Sequence, residues 1–325
     1  MMAVNPYADV WFLIIAAILF LYLALDGADL GVGLLLLLHG EDEGREAMIG
    51  TVSSVWHANQ TWLVVLGGAL FGAFPLVYSL LLPALYLPFL LLLMGLICRG
   101  VAMEYHHGAA RPRGWLTALG LGSLCIVAAQ ALIAGALLSG LPVADGRYTG
   151  GFWDFLSLGA LPVAALLLMA DLMLGGAYLM RRVQGAPRRL AAKALGFGAA
   201  GTLLAGAWLA AWAVGGGRLD PSGAVAWYPV LGLAALVCLA MLAFSARRGG
   251  PVFPWAAGLM GSLLAALAAT MYPFIVPGSV RIADAASPAG VLGIMTWMFA
   301  VLLPVMVCYN GYQYYVFRPR LGGND

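Results

Sequence analysis

The stretch that determines the fold is residues 10–38, VWFLIIAAILFLYLALDGADLGVGLLLLL. About 20 apolar helical residues are enough to cross a hydrocarbon core of about 30 Å, and this run is longer. Two aspartates within it, Asp26 and Asp29, together cost about 5–7 kcal/mol on membrane-insertion scales. The eleven Leu, Ile and Phe residues of the window 12–31 offset this by only about 3–7 kcal/mol. The helix is therefore expected to place its aspartates against protein or water rather than lipid.

The rest of the chain has the same apolar character. Of its 325 residues, 63% are hydrophobic and 9% are charged, against about 45–50% and about 25% in soluble domains. So few charges could not cover a soluble globule, and the same values exclude a disordered chain, a nucleic-acid binder and a secreted disulfide scaffold. The sequence predicts an all-α polytopic membrane protein. Nine spans are expected, at roughly 10–38, 47–72, 75–103, 115–139, 153–180, 190–214, 227–246, 253–276 and 288–316.

Lys and Arg residues are distributed unevenly between the loops. If the C-terminus lies inside, the inside segments hold 13 of the 16 Lys and Arg residues. The outside loops hold only Arg147, Arg218 and Arg281. Because cytoplasmic loops of membrane proteins are enriched in Lys and Arg, this asymmetry predicts an N-out, C-in orientation, which requires an odd number of spans.

A weak internal repeat relates two spans of the same direction. Residues 28–33, ADLGVG, align with residues 170–175, ADLMLG, at an offset of 142. The two segments lie four helices apart and run in the same direction, which suggests two four-helix bundles and one peripheral ninth helix. The expected division is 1–140 for the first bundle, 141–250 with 251–276 for the second, and 277–325 for the ninth helix and a cytoplasmic tail.

Polar side chains of the first two spans are expected to form one layer near the midplane. At about 1.5 Å per residue, Asp29 and Asp26 lie about 13 and 18 Å from the inner end of span 1. His57 and Gln60 lie about 15 and 20 Å from the inner end of span 2. In each pair the residues are three apart and share a helix face. Together with Asn59, these groups could accept, hold and pass protons, or they could form a satisfied polar patch that fixes helix packing.

Other polar residues receive structural interpretations. Asp171 matches Asp29 through the repeat and is expected to pair with a hydroxyl or a backbone group. Arg99 and Glu104, near the inner end of span 3, are expected to be an interfacial pair or to reach the interface with their head groups. No metal-ligand spacing occurs, so no metal site is expected. His57 is the only deep histidine, so a haem held by His57 and a methionine is the less favoured alternative.

Four stretches between about Leu25 and Tyr315 resemble one known family. They are 25–33; 48–49 with 56–63, 67–71 and 74–75; 99–102; and 271–277 with 295–297. In this combination the chain resembles subunit II of the cytochrome bd quinol oxidases, including the cyanide-insensitive branch. The resemblance implies a bacterial inner-membrane complex that oxidises quinol and reduces dioxygen to water.

The resemblance also implies how the work is divided between subunits. Subunit I of the family carries the quinol site and the haems, of types b and d or b only. Subunit II carries no haem and no catalytic residue, stabilises the complex and, in some members, lines a proton path from the cytoplasm. The same resemblance implies nine helices in two bundles plus one. Further expectations are a small single-helix accessory subunit, and a quinone or lipid bound at the membrane surface.

One position departs from the family pattern. The family commonly has an aspartate directly after the tryptophan of the second stretch, followed by Gly-Asn, whereas this chain has His57 and Ala58 after Trp56. The aspartate belongs to the family's proposed proton route, and an imidazole can also relay protons. Asp26 and Asp29 match the first stretch as they stand. The alternative function is a proton-coupled secondary transporter, for which broken helices and an inverted repeat would be expected.

Overall fold

The computed structural model describes residues 5–40, 42–106 and 112–316, and this part of the chain is mostly helical. Two short antiparallel hairpins join helices, β1 (Val143–Ala144) with β2 (Arg147–Tyr148) and β3 (Phe274–Val276) with β4 (Val280–Arg281). The helices are α1 (Ala8–Leu38), α2 (Asp42–Ile49), α3 (Trp56–Ala73), α4 (Pro75–Ala84), α5 (Tyr86–Tyr105), α6 (Pro112–Ser139), α7 (Ala160–Leu179), α8 (Gly185–Gly215), α9 (Tyr228–Arg248), α10 (Phe253–Met271), α11 (Ile282–Ala285) and α12 (Ala289–Val316).

Eight helices of the described residues are long and apolar enough to cross a membrane. The count becomes nine if the bent pair α3 and α4 forms one span. The class of all-α membrane protein is thus confirmed. Within the described residues, the predicted second and third spans have different bounds, because the chain bends by 119° between α3 and α4 and breaks again before α5.

Prolines explain the bend before the predicted third span and the break within it. Pro75 begins α4, and the preceding Phe74 has φ −132° and ψ 65°, as expected for a residue kept out of the helical region by the proline after it. Pro88 lies four residues after Ala84, where its ring would clash with the carbonyl of a continuous helix. The chain therefore interrupts its helix at Leu85 and restarts it at Tyr86.

The helix of the second span begins later than predicted. Residues 47–49 belong to the short α2, and turns occupy residues 51–55 before α3 begins at Trp56. His57 therefore lies in the first turn of α3 instead of midway along a helix. The assumption of a continuous helix from residue 47 was wrong, so the depth estimated for His57 from that helix loses its basis.

Helix α1 lies at the centre of the packing and contacts α3, α6 and α7. The two segments of the weak repeat meet at one of these contacts. A Cβ added at Gly31 on α1 would lie 1.9 Å from the carbonyl oxygen of Asp171 on α7. A Cβ added at Gly175 would lie 2.5 Å from the carbonyl carbon of Gly31. Only glycine allows the two backbones to approach this closely.

Candidate functional site

A buried ion-pair cluster joins α1 and α5. Arg99 donates a hydrogen bond from Nη2 to Oδ1 of Asp26, and the same nitrogen lies 3.7 Å from Oδ2 of Asp29. None of the three side chains has exposed surface. The prediction that Arg99 is interfacial was wrong. Two buried carboxylates can attract the guanidinium inward, because a buried charge is stable only when it is paired.

Close helix packing brings Arg99 to this position. A Cβ at Gly122 on α6 would lie 3.1 Å from the Arg99 backbone nitrogen, so α5 and α6 approach closely at this level. A signal for Arg99 was available in the sequence. Two aspartates in one span require a nearby cation, and Arg99 is six residues, or about 9 Å, from the end of α5. Charge balance would thus have identified it.

Asn59 on α3 extends the cluster. Its Nδ2 donates to Oδ2 of Asp29 at 3.0 Å and to the Leu25 carbonyl at 3.4 Å. The Tyr314 hydroxyl, on α12, donates to Oδ1 of Asn59 at 3.0 Å. The structure therefore brings Asp26, Asp29 and Asn59 together. Polar side chains of the first two spans were expected to meet in this way. Tyr314 was missed, because it comes from a helix 255 residues away in the chain.

His57 and Gln60 do not join the aspartates. His57 is 73% exposed, and its Nε2 lies 3.4 Å from Oε1 of Glu104, which is 60% exposed. The physical reason is helical periodicity: His57 and Asn59 are two residues apart and point to nearly opposite faces of α3. Gln60 is half-buried, and within the described residues no hydrogen bond joins it to the cluster.

Asp171 is a further buried carboxyl group close to the cluster. A Cβ at Gly27 would lie 2.7 Å from its Oδ1, so the absence of a side chain at Gly27 makes room for this carboxyl group. Its Oδ2 has no hydrogen-bond partner among the described residues, and the expected hydroxyl or backbone partner is not found there. Tyr22, one helical turn before Asp26, accepts a hydrogen bond of 2.7 Å from Gln130 Nε2.

The buried charges do not balance within the cluster. Asp26, Asp29 and Asp171 are all buried, and Arg99 pairs with the first two, so ionisation of all three carboxyl groups would leave uncompensated negative charge in the interior. Five of their polar atoms are also buried without a hydrogen-bond partner in the described part of the chain: Asp26 Oδ2, Asp29 Oδ1, Asp171 Oδ2, and Arg99 Nε and Nη1. Chemically, the arrangement can hold protons and bind water, which is what a buried proton-transfer site requires.

His57 does not lie in a haem pocket formed by the described residues of this chain. The histidine that the sequence placed deepest instead faces Glu104 on the exposed side of α3. A haem ligand is normally enclosed with the cofactor in a pocket that controls its potential. Within the described residues, no group of three or more His, Cys, Asp or Glu residues could hold a metal ion.

These helices and their buried charges define a polytopic membrane protein with an ionisable interior. Residues 7–317 match the family model described as cytochrome bd terminal oxidase subunit II. The chain is 26% identical to cytochrome bd-I ubiquinol oxidase subunit 2 of Escherichia coli K12, across 97% of this chain and 95% of the relative. It is 27% identical to cytochrome bd ubiquinol oxidase subunit 2 of Bacillus subtilis, across 98% and 97%.

The fold agrees with these matches. A chain from the structure of bd oxidase from Geobacillus thermodenitrificans superposes with a TM-score of 0.73 at 18% identity, covering 96% of this chain and 99% of that one. The chain belongs to the cytochrome bd terminal oxidase subunit II family. It is therefore a multi-pass inner-membrane subunit of an oxidoreductase complex, and the family resemblance inferred from the four stretches is confirmed.

Proposed function

We propose that this chain is the haem-free subunit II of a bd-type oxidase that couples quinol oxidation to reduction of dioxygen to water. The redox centres, haems b and d or b only, then lie in subunit I, together with the quinol site. Two findings support this division. The family match covers nearly the whole chain, and His57 faces away from the buried cluster. A quinone or lipid at the membrane surface and a small accessory subunit complete the proposed assembly.

The cluster of Asp26, Asp29, Arg99 and Asn59 is proposed as part of a proton path from the cytoplasm. Reduction of dioxygen consumes protons, and a reaction site inside a membrane receives them through polar groups or water. The observation that carries this proposal is the excess of buried carboxyl groups over guanidinium. A patch that only fixed helix packing would be better served by balanced and fully bonded groups, or by apolar residues.

Three other polar residues lie outside the cluster and are given accessory roles in the proposed path: Asp171, His57 and Gln60. Asp171 lies beside Gly27 and adds a buried site where a proton can reside. His57 and Glu104 form an exposed pair, which joins the path only where subunit I covers that face of α3 and α5. Gln60 has its Nε2 buried without a described partner and is available to bind water.

The orientation and bundle layout remain proposals. The exposed basic residues Arg181, Arg188 and Arg189 lie around the connection between α7 and α8, which supports placing that connection inside. The proposed first bundle is 1–140, the second 141–250 with 251–276, and the remainder 277–325 holds α12. Residues 1–4 and 317–325 lie outside the described residues.

A proton-coupled transporter is the weaker alternative. The bend of 119° between α3 and α4 is a broken-helix feature of the kind a transporter uses. However, the buried carboxyl groups lie on α1 and α7, which are continuous helices. A transporter of that class would place its ionisable groups at the break, so the geometry favours the oxidase subunit.

Purification of the complex through a tag on this chain tests the proposed function. We expect a haem-bearing partner to co-purify, with quinol oxidase activity and a haem spectrum. The chain expressed without its partner is expected to show no haem absorption. A stable chain that purifies alone, with no haem partner in the native membrane, would contradict the proposal. A stoichiometric haem lost in His57→Ala would restore the ligand interpretation.

A further inference from the structure

The last helix, α12, is mostly exposed yet reaches the buried cluster at one point. Near its beginning, Trp11 Nε1 donates to Thr296 Oγ1 at 3.0 Å and to the Leu292 carbonyl at 3.3 Å. Near its end, the half-buried Tyr314 donates its hydroxyl hydrogen to Asn59. The helix is thus anchored by hydrogen bonds at both ends, and the second anchor is a side chain bonded to Asp29.

The hydrogen bonds from Tyr314 to Asp29 run in one direction. The Tyr314 hydroxyl donates to Asn59 Oδ1, and Asn59 Nδ2 donates to Asp29 Oδ2, with both distances 3.0 Å. An amide has one accepting end and one donating end. When the Tyr314 hydroxyl holds the amide oxygen of Asn59, the NH₂ group of Asn59 is turned towards the carboxylate of Asp29. Because the amide of Asn59 does not ionise, this series of hydrogen bonds positions Asp29 and does not itself need to carry a proton.

Aromatic and basic groups surround Tyr314. Its ring lies 6.3 Å from that of Tyr178, in an edge-to-face arrangement. The Tyr178 hydroxyl donates to the Thr51 carbonyl at 2.8 Å, and the Arg182 guanidinium lies 3.7 Å above the Tyr178 ring. Among the described residues, the charged and titratable groups that interact electrostatically with Asp29 include Asp26 on α1, Arg99 on α5, Tyr178 on α7, Arg182 after α7 and Tyr314 on α12.

We propose that Tyr314 is a positioning residue at the inner mouth of the proton path, where its hydroxyl orients Asn59 and thereby holds Asp29 for proton uptake. The inference rests on the proposed function, since it assigns the side from which the cluster receives its protons. Tyr314 is half-buried whereas Asp29 is fully buried, so the tyrosine lies between the surface and the carboxylate.

The Tyr314→Phe variant of the assembled complex tests this proposal. It retains the ring and its contact with Tyr178 but removes the hydroxyl. A rate limited by proton delivery rises with proton concentration, so we expect quinol oxidase turnover several-fold below wild type at alkaline pH and close to wild type at acidic pH. Haem content and assembly should be unchanged. The matched control is Tyr312→Phe, on the same helix and 65% exposed, which should follow the wild-type profile.

A second variant tests whether Tyr314 acts through Asn59. Asn59→Leu should reproduce the alkaline defect, and the double variant should be no slower than the slower single variant, because both remove the same chain of hydrogen bonds. An unaltered pH profile in Tyr314→Phe, a defect equal at every pH, or additive defects in the double variant would overturn the proposal. If Asp26→Asn is slow while Tyr314→Phe is normal, only the role of Tyr314 fails. If Asp26→Asn is also normal, the proton path itself fails.

Discussion

Arg99 on α5 donates a hydrogen bond from Nη2 to Oδ1 of Asp26 on α1, and neither side chain has exposed surface. These residues are 73 positions apart in the chain, so the pair links two helices of the fold. Asp29 lies on the same side of the guanidinium at 3.7 Å. One cation therefore serves two carboxylates, which connects the stability of the helix packing with the protonation of the cluster.

Arg99→Leu is predicted to destabilise the protein strongly. Removing the cation leaves Asp26 and Asp29 buried without their partner, which typically costs about 3–5 kcal/mol. We expect much less assembled, haem-containing complex in the membrane, measured by spectrum and yield. Arg99→Lys should recover part of the yield because it retains the charge but not the planar donor geometry. A control is Arg147→Leu in the exposed β2 strand; equal yields of Arg99→Leu and this control would contradict the predicted role.

Gly31→Ala is predicted to disrupt the contact between α1 and α7. The new Cβ would lie 1.9 Å from the Asp171 carbonyl oxygen, so one backbone would have to move. We expect a lower thermal stability of the complex and a lower yield. Gly232→Ala on α9 is the matched control, since its Cβ would meet nothing within 4 Å. Equal melting temperatures for the two variants would show that α1 and α7 are packed less closely than described.

Accessibility to thiol reagents is predicted to differ between two loops. Gln184 and Thr149 are both exposed, so a cysteine at either position can react if the reagent reaches it. With the N-out, C-in orientation, a cysteine at Gln184 should resist a membrane-impermeant reagent in intact cells, and one at Thr149 should react. The four natural cysteines of the chain are free and could react as well, so the experiment uses a variant in which all four are replaced. Equal labelling rates at the two positions would overturn the orientation.

His57→Asp is predicted to retain most turnover but to change its pH dependence. The substitution restores the residue usual in the family and places a second carboxylate opposite Glu104, where the imidazole now lies at 3.4 Å. An aspartate exchanges a group that becomes cationic on protonation for one that becomes neutral, and two adjacent carboxylates disfavour joint ionisation, so the charge of the pair should change with pH in a different way. Turnover measured across a pH range tests this. A profile that coincides with wild type would exclude His57 from the path.

Much of the fold could be predicted because the membrane imposes strong constraints. The apolar runs required helices, and the insertion energy of Asp26 and Asp29 required that they face protein. The bend beside Pro75 was also readable, because a proline disfavours helix in the residue before it. The error at His57 arose from assuming a continuous helix, and from overlooking that residues 57 and 59 lie on nearly opposite faces.

The remaining parts of the site depended on tertiary contacts. Arg99 was within reach of a charge-balance argument, since a buried carboxylate needs a cation. Tyr314 was not, because no local pattern connects the end of α12 with the beginning of α3. The correspondence of Asp171 with Asp29 was visible in the repeat, but its position beside Gly27 required the packing of α1 against α7. Pairings between distant helices were thus the main information that the sequence pattern lacked.

Turnover of the Asp26→Asn complex tests the central claim most directly. Asparagine retains size and hydrogen bonding but cannot carry a proton, and Asp29 remains to balance Arg99, so assembly should survive. We predict quinol-driven oxygen reduction at least several-fold below wild type, with haem content and subunit association unchanged and the deficit largest at alkaline pH. Normal turnover at every pH would contradict the account and leave the cluster as packing. Loss of haem and of subunit association together would equally contradict it, by showing that Asp26 is structural.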